Sequence, residues 1–422
     1  MLLFQHIFVT DGIRERTMKL NKIYSAILLS TLPLSAVQAA GLDRSGQSIS
    51  AFLQPGNYAE AGISVLDPTV KGKSKVSDFE GEKISDMGED YYFPSAAIKV
   101  QATDKISLGL IYDQPFGADA TYAETAGSFG NGVEGTSVDV DTHNLTALIG
   151  YQPTENWNFY AGPVWQTVEA DIKLRGGAYS LLSGYNIQVE QEEAFGWLAG
   201  FAYQIPEIAL KASVTYRSEI KHKAKSSEQS DLALLGQQLP DVGHPLSPAK
   251  PLLATLGERE STVEAVTPQS VNIDLQSGVA QNTIAFANLR WVHWDQFAVT
   301  PSLLAQASAL AKGKAQNLID YSDDQWSATV GVGRKFNNKW SGSASVGYDS
   351  GAGNPVTTLG PTEGYWNVGL GAQYSPAENY FIQAGVKYFW LGDAQAQTGG
   401  TIVGDFEDNH AMGYGLKIGY RF

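Results

Sequence analysis

The chain has 422 residues, a formal charge of −15 and no cysteine. The missing thiols remove disulfides, thiolate metal sites and cysteine nucleophiles together, and an acidic chain without a basic patch argues against nucleic acid as a partner, because phosphate backbones attract basic surfaces. No run of about eighteen consecutive apolar residues occurs, which argues against a helical membrane protein, whereas 44 Gly, 20 Tyr and 9 Trp suit a barrel of half-apolar strands with aromatics at its rims.

Lys19 and Lys22 follow Met18, an uncharged run extends from Ile23 to Val37, and Val37-Gln38-Ala39 has the small-residue character of a cleavage site. Residues 1–39 therefore read as an upstream extension and an export signal cleaved near Ala39, with Met1 or Met18 as the start. Residues 40–57 are short, polar and without period, and form either a simple tail or a hatch-like plug. From residue 58 to 422 the chain is read as one barrel. Tyr58 to Leu66 is the first strand candidate. Ala96, Ile98, Val100 and Ala102 then alternate with Ala97, Lys99 and Gln101, and Thr103-Asp104-Lys105 turns into Ile106, Leu108, Leu110 and Tyr112.

Residues 115–136 are a long loop rich in Gly, Ala, Ser and Thr. Leu145, Ala147, Ile149 and Tyr151 mark a strand that turns at Pro153-Thr154-Glu155-Asn156 into Trp157, Phe159 and Ala161. Trp197, Ala199, Phe201 and Tyr203 turn at Ile205-Pro206-Glu207 into Leu210, Ala212, Val214 and Tyr216. The pattern fails over 218–268, which reads as one large loop with short helices around Leu232, Leu234, Leu235 and Leu239, then Leu252, Leu253 and Leu256. Long loops with structure of their own usually carry function. Regular pairs resume from Val271 onward, and the last strand alternates Met412, Tyr414, Leu416, Ile418, Tyr420 and Phe422 with small or cationic residues. The count is fourteen antiparallel strands, an all-β transmembrane barrel with short turns at the periplasmic side and long loops outside. A soluble β-sandwich would not need greasy faces on nearly every strand together with an export signal and a terminal Phe.

Thr267-Pro268-Gln269 before a strand, Trp291 and Trp294-Asp295-Gln296-Phe297 after the next, and Gly364-Tyr365-Trp366-Asn367-Val368-Gly369-Leu370-Gly371 resemble motifs of the FadL-type outer-membrane channels for long-chain fatty acids and for aromatic hydrocarbons such as toluene. Ala40-Gly41-Leu42 and Asp67-Pro68 followed by Val70-Lys71-Gly72 add to that resemblance. It implies a fourteen-stranded barrel plugged by an N-terminal hatch, capture of apolar substrate in a groove made by two helical loops, and release sideways into the membrane. The segment before the first strand is shorter than the family's hatch, and Gln54-Pro55-Gly56-Asn57 stands where an Asn-Pro-Ala signature would be expected.

An amphipathic acid needs an apolar path and a few cations to meet its carboxylate. Alternation turns Lys99, Lys211, Arg217, Arg290, Lys387, Lys417 and Arg421 inward. Arg290, sharing its face with Ile284, Phe286 and Asn288, is the best single ligand-binding candidate, and Leu234, Leu235, Leu252 and Leu253 are the candidates in the loop. The competing reading is that the cations pair with inward acids to stiffen the barrel and that the leucines pack the loop upon itself. Enzyme chemistry finds little support: His143 and His293 are the candidate bases, and no Gly-x-Ser-x-Gly elbow occurs. Asp323-Asp324 and Asp139-Val140-Asp141 read as solvated faces rather than metal sites. The expectation is a cofactor-free, metal-free monomer in outer-membrane lipid, with long-chain fatty acid or another hydrophobic small molecule as partner and no nucleic acid. A general porin, a non-transporting surface-binding barrel and a channel for aromatic hydrocarbons are the alternatives.

Overall fold

The computed structural model describes residues 42–422. The expected export signal and its cleavage point at Ala39 lie outside the described residues. Fourteen wall strands run in chain order: β1 (Tyr58–Thr69), β2 (Tyr91–Gln101), β3 (Ile106–Asp113, resuming as Gly117–Thr121), β4 (Ser137–Tyr151), β5 (Trp157–Leu174), β6 (Tyr185–Ile205) and β7 (Leu210–Arg217, resuming as Ile220–Gln229). They are followed by β8 (Glu258–Thr267, resuming as Ser270–Ala280), β9 (Thr283–Val292), β10 (Gln325–Lys335), β11 (Trp340–Asp349), β12 (Tyr365–Ala377), β13 (Tyr380–Leu391) and β14 (His410–Arg421). Each pairs antiparallel with the next, and β14 closes on β1 from Tyr58 opposite Arg421 to Thr69 opposite His410. Closure leaves no free edge, which is the only sheet that lipid tolerates.

The period-two sequence makes the two faces. Ile98, Leu108, Leu110, Ile149, Val330, Val346, Leu370, Leu416 and Ile418 stand exposed on the outer wall. Trp157 against Tyr203 (4.8 Å between ring centres) and Trp340 against Tyr374 (4.9 Å) belong to one aromatic girdle, while Tyr348 against Trp366 (4.8 Å) and Trp291 against Trp326 (6.4 Å) belong to the other. Amphipathic rings at both rims fix the barrel's height in a bilayer.

Two expectations change. The large loop read over 218–268 is in part wall: β7 resumes at Ile220 and β8 begins at Glu258, in register from Ile220 opposite Thr267 to Gln229 opposite Glu258. Only 230–257 is loop, carrying α1 (Leu232–Gln238) and the one-turn α2 (Lys250–Leu253). Lys221, Lys223 and Lys225 face water on this projecting hairpin, so its alternation lacks the apolar outer face by which a membrane strand is recognised. Likewise residues 115–136 include the second half of β3. The 293–324 loop carries α3 (Ser302–Lys312), whose first turn is tied to β7: Glu228, fully buried, accepts from the Leu303 and Leu304 N–H (3.0 Å each), from Ser302 Oγ and from Tyr185 Oη. A carboxylate at a helix N-terminus meets the orphan amides and the positive dipole end.

Candidate functional site: a latched plug beneath an apolar mouth

Residues 42–57 run into the barrel lumen. Ile49, Phe52 and Leu53 pack on Leu148, Tyr160, Leu198 and Ile220 of the wall. Gly109 and Gly150 make room for the Phe52 ring: a Cβ built on either comes within 3 Å of it. The peptide's carbonyls meet the inward cations. Lys99 Nζ donates to the Gln54 carbonyl (2.6 Å), Lys211 Nζ to the Leu53 carbonyl (2.6 Å), and Arg217 to the Gln47 carbonyl. Arg44 of the plug reaches back, donating from Nε to the Gly117 carbonyl (2.7 Å) with its guanidinium 3.4 Å over the Tyr91 ring.

Arg290 is the centre of this contact. Its Nε lies 2.7 Å from Asp43 Oδ2, its Nη1 donates to Asn272 (2.7 Å) and Ser270 (3.3 Å), and its Nη2 donates to Asp43 Oδ1 (3.2 Å) and Gln47 (3.1 Å). A guanidinium has five N–H donors, and these five contacts occupy them. Arg290 and Asp43 are both about 95% buried in this pair. Arg290 thus pairs with an inward acid, as the competing reading of the lumen cations has it, and ties the plug to the wall. Sequence alternation turned Arg290 inward but had no means of seeing Asp43, 247 residues earlier in the chain.

The other candidates divide. Phe286 and Asn288 line a cavity of about 190 Å³ beside the plug together with Lys211 and Lys387, and Asn288 also donates to Asp274 (2.8 Å). Ile284 is fully buried on the same strand. Leu234 and Leu252 are exposed on α1 and α2, whereas Leu253 is fully buried and Leu235 packs partly buried on the loop core. Lys417 pairs with Glu60 across the β1–β14 seam (3.0 Å) rather than meeting the plug. His143 lies on the outer wall side of β4, 2.8 Å from the Tyr112 hydroxyl.

Above the plug the loops fold into one apolar body that covers the mouth. Trp294, fully buried, meets Phe297 (5.2 Å) and Tyr321 (5.1 Å) edge-on and donates from Nε1 to Gln325 (2.8 Å). Tyr122 stacks on Phe129 (4.4 Å), which meets Tyr179 (6.2 Å). Burial pushes the Tyr179 hydroxyl up to about 12, against the pull of its bonds to Thr358 and Thr136. Phe116 joins mouth to plug: its ring lies edge-on to Trp294 (5.6 Å) and its backbone bridges to Asp43.

The wall beside Phe116 is open in its hydrogen bonding. The β2–β3 ladder stops at Ala96 opposite Tyr112, and residues 91–95 have no ladder partner on β3. There β3 turns to the plug instead, the Pro115 carbonyl accepting from Arg44 N–H (2.7 Å) and Gly117 N–H donating to Leu42 (2.9 Å). Pro94 and Pro115 flank the break, and neither has an N–H to close it. A small cavity lined by Ser45, Ser48, Phe93, Ala96 and Asp113 sits at this gap. These prolines were the available signal in the sequence; plug residues Asp43 and Gln47 gave none.

The sequence profile described as outer membrane protein transport protein (OMPP1/FadL/TodX) matches residues 48–422. The long-chain fatty acid transport protein of Escherichia coli O6:H1 is 21% identical, aligned over 92% of this chain and 89% of its own length, and that of Salmonella typhi is also 21% identical, over 84% and 82%. Among solved structures, a Pseudomonas aeruginosa FadL homologue superposes with a TM-score of 0.68 at 15% identity, covering 88% of this chain and 92% of that one. The Pseudomonas putida toluene transporter TodX gives 0.61 at 13%, covering 91% and 97%. With the profile matching nearly the whole described chain and the closed fourteen-stranded barrel agreeing with both solved folds, the chain belongs to the OMPP1/FadL/TodX family of Gram-negative outer-membrane transporters of hydrophobic compounds.

Proposed function

We propose that this barrel takes up long-chain fatty acids, and that the Asp43–Arg290 latch is the point at which the acid's head group acts. The observation that carries this reading is the vertical order of the site: an apolar aromatic mouth, joined through Phe116 to a carboxylate–guanidinium pair on a plug that four inward cations hold. An alkyl chain is captured first on the exposed Leu234 and Leu252 of the outer loop and then by the mouth. Its carboxylate competes with Asp43 for Arg290, because both present the same bidentate acceptor to one guanidinium. Loosening of the plug opens the cavity beside Phe286 and Asn288, and the ladder gap between β2 and β3 gives an apolar chain a sideways exit to lipid.

A second reading has support of its own. The mouth is mostly aromatic, with Tyr122, Phe129, Tyr179, Trp294, Phe297 and Tyr321 in contact, which suits flat hydrocarbons, and TodX is by name a toluene transporter. Binding of radiolabelled oleate to the purified, detergent-folded protein separates the two. Saturable binding that weakens at least tenfold in Leu234→Asp/Leu252→Asp, that oleyl alcohol competes for poorly and that toluene does not displace, supports the fatty-acid reading. Saturable toluene uptake without oleate binding would transfer the assignment to aromatic hydrocarbons. Ion conductance without binding of either would leave a porin.

A further inference from the structure

At the extracellular end of β9 a second cluster lies outside the lumen. His293 follows the strand's last residue, Asp295 stands in the turn after it, and Asp324 immediately precedes β10. His293 Nδ1 is 2.9 Å from Asp324 Oδ1 and 3.3 Å from Asp295 Oδ1, and the three donor atoms lie within 4.8 Å of one another. We propose that these residues form a binding site for a divalent transition-metal ion of the zinc class.

The geometry argues for an ion rather than for a hydrogen bond alone. An imidazole Nδ1 carries at most one proton, yet two carboxylate oxygens converge on it. Among the described residues neither carboxylate forms an ion pair with Lys or Arg. Two carboxylates gathered around one nitrogen repel each other, and a divalent cation held among them offsets that repulsion. The separations fit: ligands bound at about 2.0–2.1 Å lie about 3.0 Å apart at right angles and about 3.3 Å apart in a tetrahedron. One imidazole and two carboxylates form a mixed N/O set that suits zinc and its neighbours rather than calcium, which takes oxygen.

Outer-shell groups already hold the donors. Trp291 Nε1 donates to the other Asp324 oxygen (2.9 Å), Asp295 N–H donates to Asp324 Oδ1 (3.4 Å), and His293 N–H is fixed to the Gln269 carbonyl (3.1 Å). Such bonds set the orientation of metal ligands. His293 and Asp324 are partly buried and Asp295 is exposed, so an ion has a path from the outer medium and room for water as a fourth ligand. A bound ion would take the Nδ1 lone pair of the imidazole tautomer protonated on Nε2. The ion would staple the turn at 293–297 to the start of β10, at the root of the loop that carries α3 and the mouth residues Trp294 and Phe297.

The test uses the full folded protein, stripped with chelator and titrated with zinc chloride by calorimetry. One equivalent should bind with micromolar affinity or better, and His293→Ala and Asp324→Asn should each weaken it at least tenfold, while His143→Ala, on β4, should leave it unchanged. Copper(II) should quench tryptophan emission in the wild type and much less in Trp291→Phe, because the Trp291 ring lies 5.4 Å from His293. Retained heat-modifiable migration of each variant shows that it is folded. No stoichiometric zinc binding by the wild type, or binding undiminished in folded His293→Ala, overturns the proposal.

Discussion

The two halves of the wall are built to different plans. From β9 to β14 the strands are 10 to 13 residues long, and neighbours pair in nearly unbroken register from one aromatic girdle to the other. From β3 to β8 three strands are interrupted, β4, β5 and β6 reach 15, 18 and 21 residues, and the plug packs mainly here. The regular half does what the bilayer requires. The irregular half departs from that requirement wherever a backbone group is used by the plug or a strand continues into water, so the departures mark where the protein does more than span.

The largest effect expected from this contrast is at the latch. Arg290→Ala leaves Asp43 buried without its cation, and breaking a buried pair in this way costs about 3–5 kcal/mol. The plug should loosen, so that single-channel conductance in planar bilayers appears where the wild type is closed and residues 42–57 become accessible to protease. Asp43→Ala/Arg290→Ala should be milder than Arg290→Ala alone, because the stranded carboxylate is gone. Lys417→Ala, which removes a lumen ion pair at the β1–β14 seam rather than at the plug, should leave the channel closed. Equal conductance in the two single variants would erase the distinction between a latch and ordinary lumen pairing.

The same contrast explains what could be read from the sequence. Alternation identifies a strand only while its two faces meet different solvents, and β10 to β14 keep an apolar outer face over their full length. Above the girdle the outer faces of β4 and β5 carry Asp139, Asp141, Glu169 and Asp171, with Asp139 directly opposite Asp171 and Asp141 opposite Glu169. Both faces are then polar or packed, and the period-two signal that stopped near Leu145 and Ala161 could not follow the strands upward. The inward set Lys99, Lys211, Arg217 and Arg290 was legible because parity alone decides it. Their partners were not: three of them bind backbone carbonyls of the plug, which every residue has, and the fourth binds an aspartate whose position follows only from the closed fold.

A middle-sized effect should sharpen the role of the projecting hairpin. Glu228→Gln keeps shape but removes the charge that the first turn of α3 faces, and hydrogen bonds to a charged group contribute about 1.5–3 kcal/mol. The Leu303 and Leu304 amides should then exchange faster with deuterium by roughly one to two powers of ten, with exchange in β10 to β14 unaltered. Unchanged exchange at α3 would mean that apolar packing of Leu303 and Leu304, both buried, holds the helix by itself.

The smallest effect belongs to the loop between β11 and β12, outside the spanning strands. Burial pushes the Glu363 carboxyl up to about 7, with the Asp323 carboxylate adding to it and the Gly353 and Ala352 amides pulling the other way. The folded loop therefore binds a proton more tightly than the unfolded one, whose Glu has an ordinary value near 4.5. Stability falls as pH rises wherever the native state holds more protons. The loop should be firmest below about pH 4.5 and should lose that advantage progressively up to about pH 7, the reverse of the usual salt-bridged carboxylate. Deuterium exchange over residues 350–364 at pH 5 and pH 8, corrected for intrinsic rates, should show greater protection at pH 5, and Glu363→Gln should abolish the difference. That substitution imitates the protonated acid, so a pH dependence that survives it would have to come from Asp323 or another neighbour, and the closure of the mouth would not depend on Glu363.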